Sequence, residues 1–173
     1  MIAQKIDQKK ASTQIIGITN LMKEIQFHAL MFFGFLIRGG VTIGELSIDS
    51  TVVWGTGLID AHNIESNLAN YPRIIFSNKL LKKYDSCEQK TLNLYALLEQ
   101  DFDGLWFVDY IIGSYNITTI PIISKTLQEI SGFYTDKPYE VRRKVNWLID
   151  YFNATCSKLK ERGDYEKYVL PYI

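Results

Sequence analysis

The stretch F-L-I-R-G-G-V-T-I-G (35–44) decides how the chain divides. Before it, Ile15, Ile18, Met22, Ile25, Ala29 and Phe32 recur at spacings of three and four across 12–33. That spacing puts them on one helix face, with Ser12 or Thr13 at the start and Gly34 at the end. His28 lies beside this face and reads as a half-buried structural histidine. At residue 35 the pattern switches to β-type residues. Gly39 and Gly40 weaken a strand unless the backbone bulges there or a neighbour or ligand comes close.

Working outward, E-L-S-I-D-S (45–50) reads as a loop or hairpin and T-V-V-W (51–54) as a short strand. Gly55 and Gly57 flank a turn into a helix over 58–69, with Leu58, Ala61, Ile64 and Leu68 on one face. Pro72 closes it. R-I-I-F-S (73–77) reads as a strand and N-K-L-L-K-K (78–83) as a short helix capped by Ser77 or Asn78. Two apolar runs, 95–99 and 105–111, flank Q-D-F-D-G, whose Asp-Gly is a turn dipeptide, so they form a hairpin. Helices follow at 122–132 and 138–162, the second with Pro138 at its first position and Val141, Val145, Leu148, Phe152 and Leu159 as its apolar stripe. Gly163 ends it, and the tail after it docks or frays. The order predicts an α+β fold, with helices packed on one mostly antiparallel sheet.

Composition agrees with a folded domain. The chain has 173 residues, 47% apolar and 22% charged, with 19 basic and 19 acidic side chains. Zero net charge gives no general reason to expect phosphate-backbone binding, so no nucleic-acid partner is expected. Lys82 and Lys83, and Arg142-Arg143-Lys144, read as solvated helix faces. No apolar run approaches the roughly 20 residues of a membrane span, and the polar opening M-I-A-Q-K-I-D-Q-K-K has no apolar signal core. A cytoplasmic protein with no membrane partner is the expectation. Cys87 and Cys156 stand alone, and with His28 and His62 they are too scattered for structural zinc. The sequons at Asn116 and Asn153 read as chance matches.

Three features could carry chemistry. Arg38, beside the glycine pair, could grip a phosphate bidentately, or it could pair with a carboxylate such as Glu45. Gly55-Thr56-Gly57 opens a helix, where free N–H groups favour anions. Asp101 and Asp103 could hold a divalent cation or simply shape a hairpin turn, since the remaining ligands of an EF-hand loop are missing. No nucleophile motif is present, and R-G-G-V-T-I-G is neither a Walker A loop nor a dinucleotide fingerprint.

These residues also form an ordered set. F-L-I-R-G-G-V-T-I-G-E-L (35–46), V-V-W-G-T-G-L-I-D-A-H-N-I-E (52–65) and Y-P-R-I-I-F-S (71–77) resemble the C-terminal part of class III nucleotidyl cyclase domains. They look most like the bacterial pyrimidine (uridylate or cytidylate) cyclases of anti-phage signalling. That branch has a strand close to R-G-G-I-x-x-G, then V-x-G-x-A-L-x-x-A-Y-x-L-E, then P-R-I. D-F-D-G-L-W-F-V-D-Y (101–110) and V-N-W-L-I-D-Y-F-N (145–153) look like its downstream elements, so the resemblance spans about residues 12–153.

The resemblance implies a ferredoxin-like α+β domain that dimerises head to tail, and two Mg²⁺ or Mn²⁺ ions that activate a nucleoside triphosphate for cyclisation. It implies that residues 1–173 are a single cyclase-like domain lacking its first strands, with a long helix at 12–33, a sheet core at 35–111 and C-terminal helices at 122–162. The family's two metal-binding aspartates lie upstream of this pattern and have no counterpart here; Asp7 is too far downstream. No metal ligand is therefore expected within the chain. Val52, Ile59 and Asn63 stand where the purine cyclases carry Asp, Asn and Arg. The missing Asp at Val52 argues against a purine substrate, whereas the pyrimidine branch also departs from the Asn and Arg, and His62 replaces that branch's usual Tyr. The resemblance leaves Arg38, His62 and Asn63 as catalytic candidates. Arg38, Gly39, Gly40, Gly55 and Arg73 are its nucleotide- and phosphate-binding candidates. The expectation is a lyase-type cyclase whose full-length form makes a 3′,5′-cyclic nucleotide and whose present chain is inactive alone. The alternative is a non-catalytic nucleotide-binding or dimerisation module. An exposed sheet edge, left where the missing strands would pair, implies a homodimer.

Overall fold

The computed structural model describes residues 1–90, 92–111, 117–160 and 163–173. The sequon at Asn116 and the expected helical residues 161 and 162 lie outside them. The fold is mixed α/β. Its elements run α1 (Ala11–Phe33), β1 (Gly39–Val41), β2 (Ser47–Ile48), β3 (Val53–Trp54), α2 (Thr56–Asn67), β4 (Ile74–Phe76), α3 (Asn78–Asp85), β5 (Leu98–Gln100), β6 (Trp106–Val108), α4 (Ile120–Tyr134) and α5 (Tyr139–Lys158). Short 3₁₀ turns at Gln8–Lys10, Leu94–Leu97, Ile117–Thr119 and Glu166–Tyr168 complete the described residues. The order follows the expected one except that β2 forms within 45–50, and in place of one mostly antiparallel sheet there are two, the larger of them mixed.

The chain forms two compact units. The first comprises Met1–Ile25, Arg38–Ala69 and Arg73–Asp109. It holds a four-stranded sheet in the order β1-β4-β6-β5 and a separate two-stranded hairpin, β2-β3. β4 pairs β6 antiparallel and β6 pairs β5 antiparallel, whereas β1 pairs β4 in parallel, Gly39 to Ile74 and Val41 to Phe76. A parallel pair needs a crossover, and α2 supplies it. The inner strands read as continuous apolar runs because both faces are covered: Ile74, Ile75, Phe76, Phe107 and Val108 are all buried. Ser77 caps α3 as its sequence position predicts, its hydroxyl accepting the Leu80 N–H at 3.1 Å.

The second unit comprises Gln26–Ile37, Asn70–Pro72 and Tyr110–Ile173. α4 and α5 pack through Ile123, Leu127 and Ile130 and through Val145, Leu148 and Phe152, all buried. Two asparagines on α5, seven residues apart, dock the tail as a neighbouring strand would. The Asn153 side chain donates to Leu170 O and accepts from Leu170 N, both at 2.9 Å. Asn146 does the same for Ile173, again at 2.9 Å. The tail docks, and Asn153 serves as a backbone clamp.

Helix α1 departs from the sequence reading. Of the expected core stripe, Ile15 and Ala29 are buried, but Ile25 and Phe32 are exposed. The buried side is instead lined by Ile15, Ile16, Thr19, Lys23, Gln26, Phe27 and Leu30. Polar and apolar side chains are mixed around the helix, with Thr19, Lys23 and Gln26 inside and Leu21, Ile25 and Phe32 outside, so the apolar spacing picked the wrong face.

Cys156 is fully buried on α5, and burial pushes its thiol up from 9.0 to about 11. Between these values the unfolded chain loses its proton first, so stability falls as pH rises through this window. The loss amounts to about 2–3 kcal/mol for this group alone. Urea unfolding at pH 8 and pH 10.5 measures it. Cys156→Ala is expected to start less stable, because it leaves a cavity, but to show a flatter fall with pH.

Candidate functional site

The glycine-rich strand and the helix after it place most of the expected site residues within the first unit. Gly39 sits in the parallel ladder, its N–H donating to Arg73 O at 3.2 Å. A Cβ there would make ordinary contact with Ile74. Gly40 is different. A Cβ there would lie 2.6 Å from Ala61 O and 2.6 Å from Ile64 Cβ, so only glycine lets α2 lie this close to β1. Gly55 precedes α2 with φ +143, and a Cβ would come within 2.3 Å of Glu45 O. The Glu45 carbonyl accepts the Gly57 N–H at 2.9 Å. Gly40 and Gly55 are accounted for by chain-on-chain contacts, whereas nothing in the packing requires a glycine at Gly39.

Arg38 enters β1 with its side chain 43% exposed. Its carboxylate partner is Glu65 on α2, at 2.7 Å, rather than Glu45. A second guanidinium nitrogen reaches Ala69 O at 3.5 Å, just past the end of α2, where the carbonyl dipole favours a cation. Glu65 continues a network across the outer face of that helix. Ser66 donates to Glu65 Oε2 at 3.0 Å, and His62 Nδ1 lies 3.8 Å from the same carboxylate. Asn63 is exposed on this helix as well. The residue types resemble a nucleophile, base and orienting acid, but the geometry does not. Ser66 Oγ is 3.3 and 3.5 Å from the two His62 ring nitrogens, so it lies along the lone pair of neither. Its proton goes to Glu65, and His62 is 72% exposed to water. The network orients Arg38; it does not activate a serine. The spacing of His62, Glu65 and Ser66 (i, i+3, i+4) was the sequence signal for it.

Arg73 stands at the head of β4 and is 1% exposed. Its guanidinium grips both hairpin carboxylates. Nη1 donates to Asp101 Oδ2 and to Asp103 Oδ1, the latter at 3.0 Å, and Nη2 donates to Asp103 Oδ2. Asp103 is thus held by the arginine fork. The Arg73 hydrogen bond holds the Asp103 carboxyl below its usual value, against the opposing effect of burial, and the Leu105 N–H assists. Arg73 is therefore committed to the hairpin, away from any open phosphate site.

The same contacts test the fit of a divalent cation. Asp101 Oδ1 accepts the Phe102 N–H at 2.8 Å and Asp103 Oδ1 accepts the Leu105 N–H at 3.2 Å. With the arginine on the other two oxygens, all four face N–H donors. A cation would need those lone pairs, so the pair does not fit Mg²⁺ or Mn²⁺. Among the described residues, no three His, Cys, Asp or Glu side chains gather as a metal-ligand group.

Arg73→Met would leave two carboxylates in the turn without their counter-ion, at an expected cost of about 3–5 kcal/mol. The pH profile separates this from simple loss of packing. Asp103 titrates below its unfolded 3.8 in the native protein, so wild-type stability from this group is present above that value and lost as pH falls through the native one. In Arg73→Met the loss between pH 5 and pH 3 is expected to shrink or reverse, because protonation now relieves the repulsion. Thermal denaturation across that range measures it.

No family model, no curated protein and no solved structure matches this chain.

Proposed function

We propose that the chain is a nucleotidyl-cyclase-like module of the pyrimidine branch that holds the phosphate side of a nucleoside triphosphate without catalysing its cyclisation alone. Arg38 carries this reading. It is the half-exposed arginine at the foot of an edge strand, directly before Gly39 and Gly40, and it already holds an anion, Glu65, at 2.7 Å. A triphosphate oxygen offers the same bidentate contact and would compete with that carboxylate. The parallel β1-α2-β4 unit supports the reading by setting Arg38 beside the end of α2. The cyclase family's metal-binding aspartates would come from outside this chain, and any 3′,5′-cyclic product would require them.

Calorimetric titration with each of the four nucleoside triphosphates, followed by a product assay with Mn²⁺, tests the proposal. The expected result is millimolar or tighter triphosphate binding, weakened about tenfold or more by Arg38→Ala, with no cyclic nucleotide formed. Absence of heat at millimolar triphosphate would overturn the nucleotide reading. Turnover by the chain alone would overturn the non-catalytic one.

A second reading rests on the sheet. β1 lies at the end of the strand order and pairs with β4 on one side. An edge left unpaired is a template for another strand, and we infer a homodimer formed there. Light scattering is expected to give twice the chain mass for the wild type. Val41 O accepts the Ser77 N–H, so by strand alternation the Thr42 N–H faces away from β4. Thr42→Pro, which removes that edge donor, is expected to shift the mass toward monomer.

A further inference from the structure

A cavity of about 340 Å³ opens beside the C-terminal end of α3, lined by Tyr84, Asp85, Lys90, Leu92, Asn93 and Tyr95. This is within the size range of small-ligand sites. Its walls are built by fixed contacts. Tyr84 is buried; its hydroxyl donates to Leu92 O and accepts the Leu94 N–H at 3.0 Å. Asn93 Oδ1 accepts the Tyr95 N–H at 3.2 Å, and the Tyr95 ring packs edge-on against Trp106 at 5.0 Å. The Tyr95 hydroxyl donates to Asp85 Oδ2 at 2.9 Å. Burial and Asp85 both push that phenol above its usual range, so it stays a donor.

The cavity already contains a cation. Lys90 Nζ lies over the Tyr84 ring, 5.1 Å from its centroid, and 3.9 Å from Asp85 Oδ1. An aromatic face and a carboxylate oxygen converge on one point, the arrangement that selects an ammonium group. Yet Lys90 is held loosely. Its distance to Asp85 is at the limit of an ion pair, and the two side chains are 39% and 51% exposed. Such a pair contributes little, and a lysine stem leaves its site easily. An anion is disfavoured there, because it would face the Asp85 carboxylate and the negative ring faces of the tyrosines.

We propose that this cavity is a binding site for a small alkylammonium ion, with the Lys90 ammonium as its displaceable internal occupant. The incoming ammonium takes the place of Lys90 over the Tyr84 ring and beside Asp85 Oδ1. Its alkyl chain lies against Leu92, which is exposed in the unliganded protein.

Amide-resolved NMR titration with butylammonium tests the proposal, with Trp106 fluorescence as a second readout. Butanol and butyrate are the neutral and anionic controls. Butylammonium is expected to shift the Tyr84 and Tyr95 resonances saturably with millimolar affinity, and neither control to do so. Lys90→Ala is expected to bind butylammonium about threefold more tightly or better, because its internal competitor is gone. Asp85→Asn is expected to lose binding. The proposal is overturned if butanol or butyrate binds as well as butylammonium, if Lys90→Ala gains nothing, or if a folded Asp85→Asn binds like the wild type. Should Asp85→Asn fail to fold by circular dichroism, the Lys90→Ala comparison and the controls decide.

Discussion

The ion cluster of Arg73 with Asp101 and Asp103 is the constraint on which the sheet unit depends. β4 runs between β1 and β6, and Arg73 at its head reaches the turn that joins β5 to β6. The same guanidinium lies 3.5 Å from Leu68 O at the end of α2. One side chain therefore ties the middle strand to the hairpin and to the crossover helix. Burying a guanidinium is costly, and the cost is offset only when its donors are met by good acceptors. Two carboxylates meet them, and backbone N–H groups of the turn hold those carboxylates in place. The turn is thereby specified twice, by the Asp-Gly backbone and by the charge seated on it.

That arrangement explains which parts of the fold were legible in the sequence. The hairpin was readable because its signal is local: two apolar runs and a turn dipeptide. The Ser77 cap, the tail-facing helix α5 and the element order were readable for the same reason. The partner of Arg73 was not, because 28 residues separate it from Asp101 and nothing local announces a pairing. Arg38 shows a milder form of the same limit. Its pairing with a carboxylate was foreseen, but the nearer Glu45 gave way to Glu65. The chain's close contact between Glu45 and Gly57 uses the Glu45 backbone, while α2 lays Glu65 against the strand.

Helix α1 marks the other boundary of legibility. Periodicity selects a buried face only when the opposite face is polar. Here the exposed residues include Leu21, Ile25 and Phe32, while Lys23 is 2% exposed. Burial pushes the Lys23 ammonium below its usual range, with Asp109 acting in the opposite direction. A lysine preserved inside at that cost is an argument that tertiary contacts, rather than amphipathicity, set the rotation of this helix. Gln26 makes the same point in the second unit, where its amide donates to Ile37 O at 3.1 Å and Pro72 O at 3.0 Å. Those carbonyls need a donor, and an apolar residue at position 26 would leave them without this one.

The candidate site teaches a related lesson about arginines. Arg38 and Arg73 look equivalent in the sequence, each beginning a strand and each matched to a phosphate-side position of the cyclase pattern. Their strands are neighbours in the sheet, yet their chemical availability differs. Arg73 is fully buried under two carboxylates, so a phosphate could reach it only by undoing the hairpin. Arg38 holds one carboxylate at a half-exposed position, where exchange of one anion for another disrupts no core. Resemblance alone treats both residues alike; the counter-ion each holds separates the buried structural arginine from the half-exposed one. The same reasoning applies to Lys90, whose weak hold on Asp85 makes its cavity open to a competing cation, and to Gly40, whose missing side chain is accounted for by α2 rather than by a ligand.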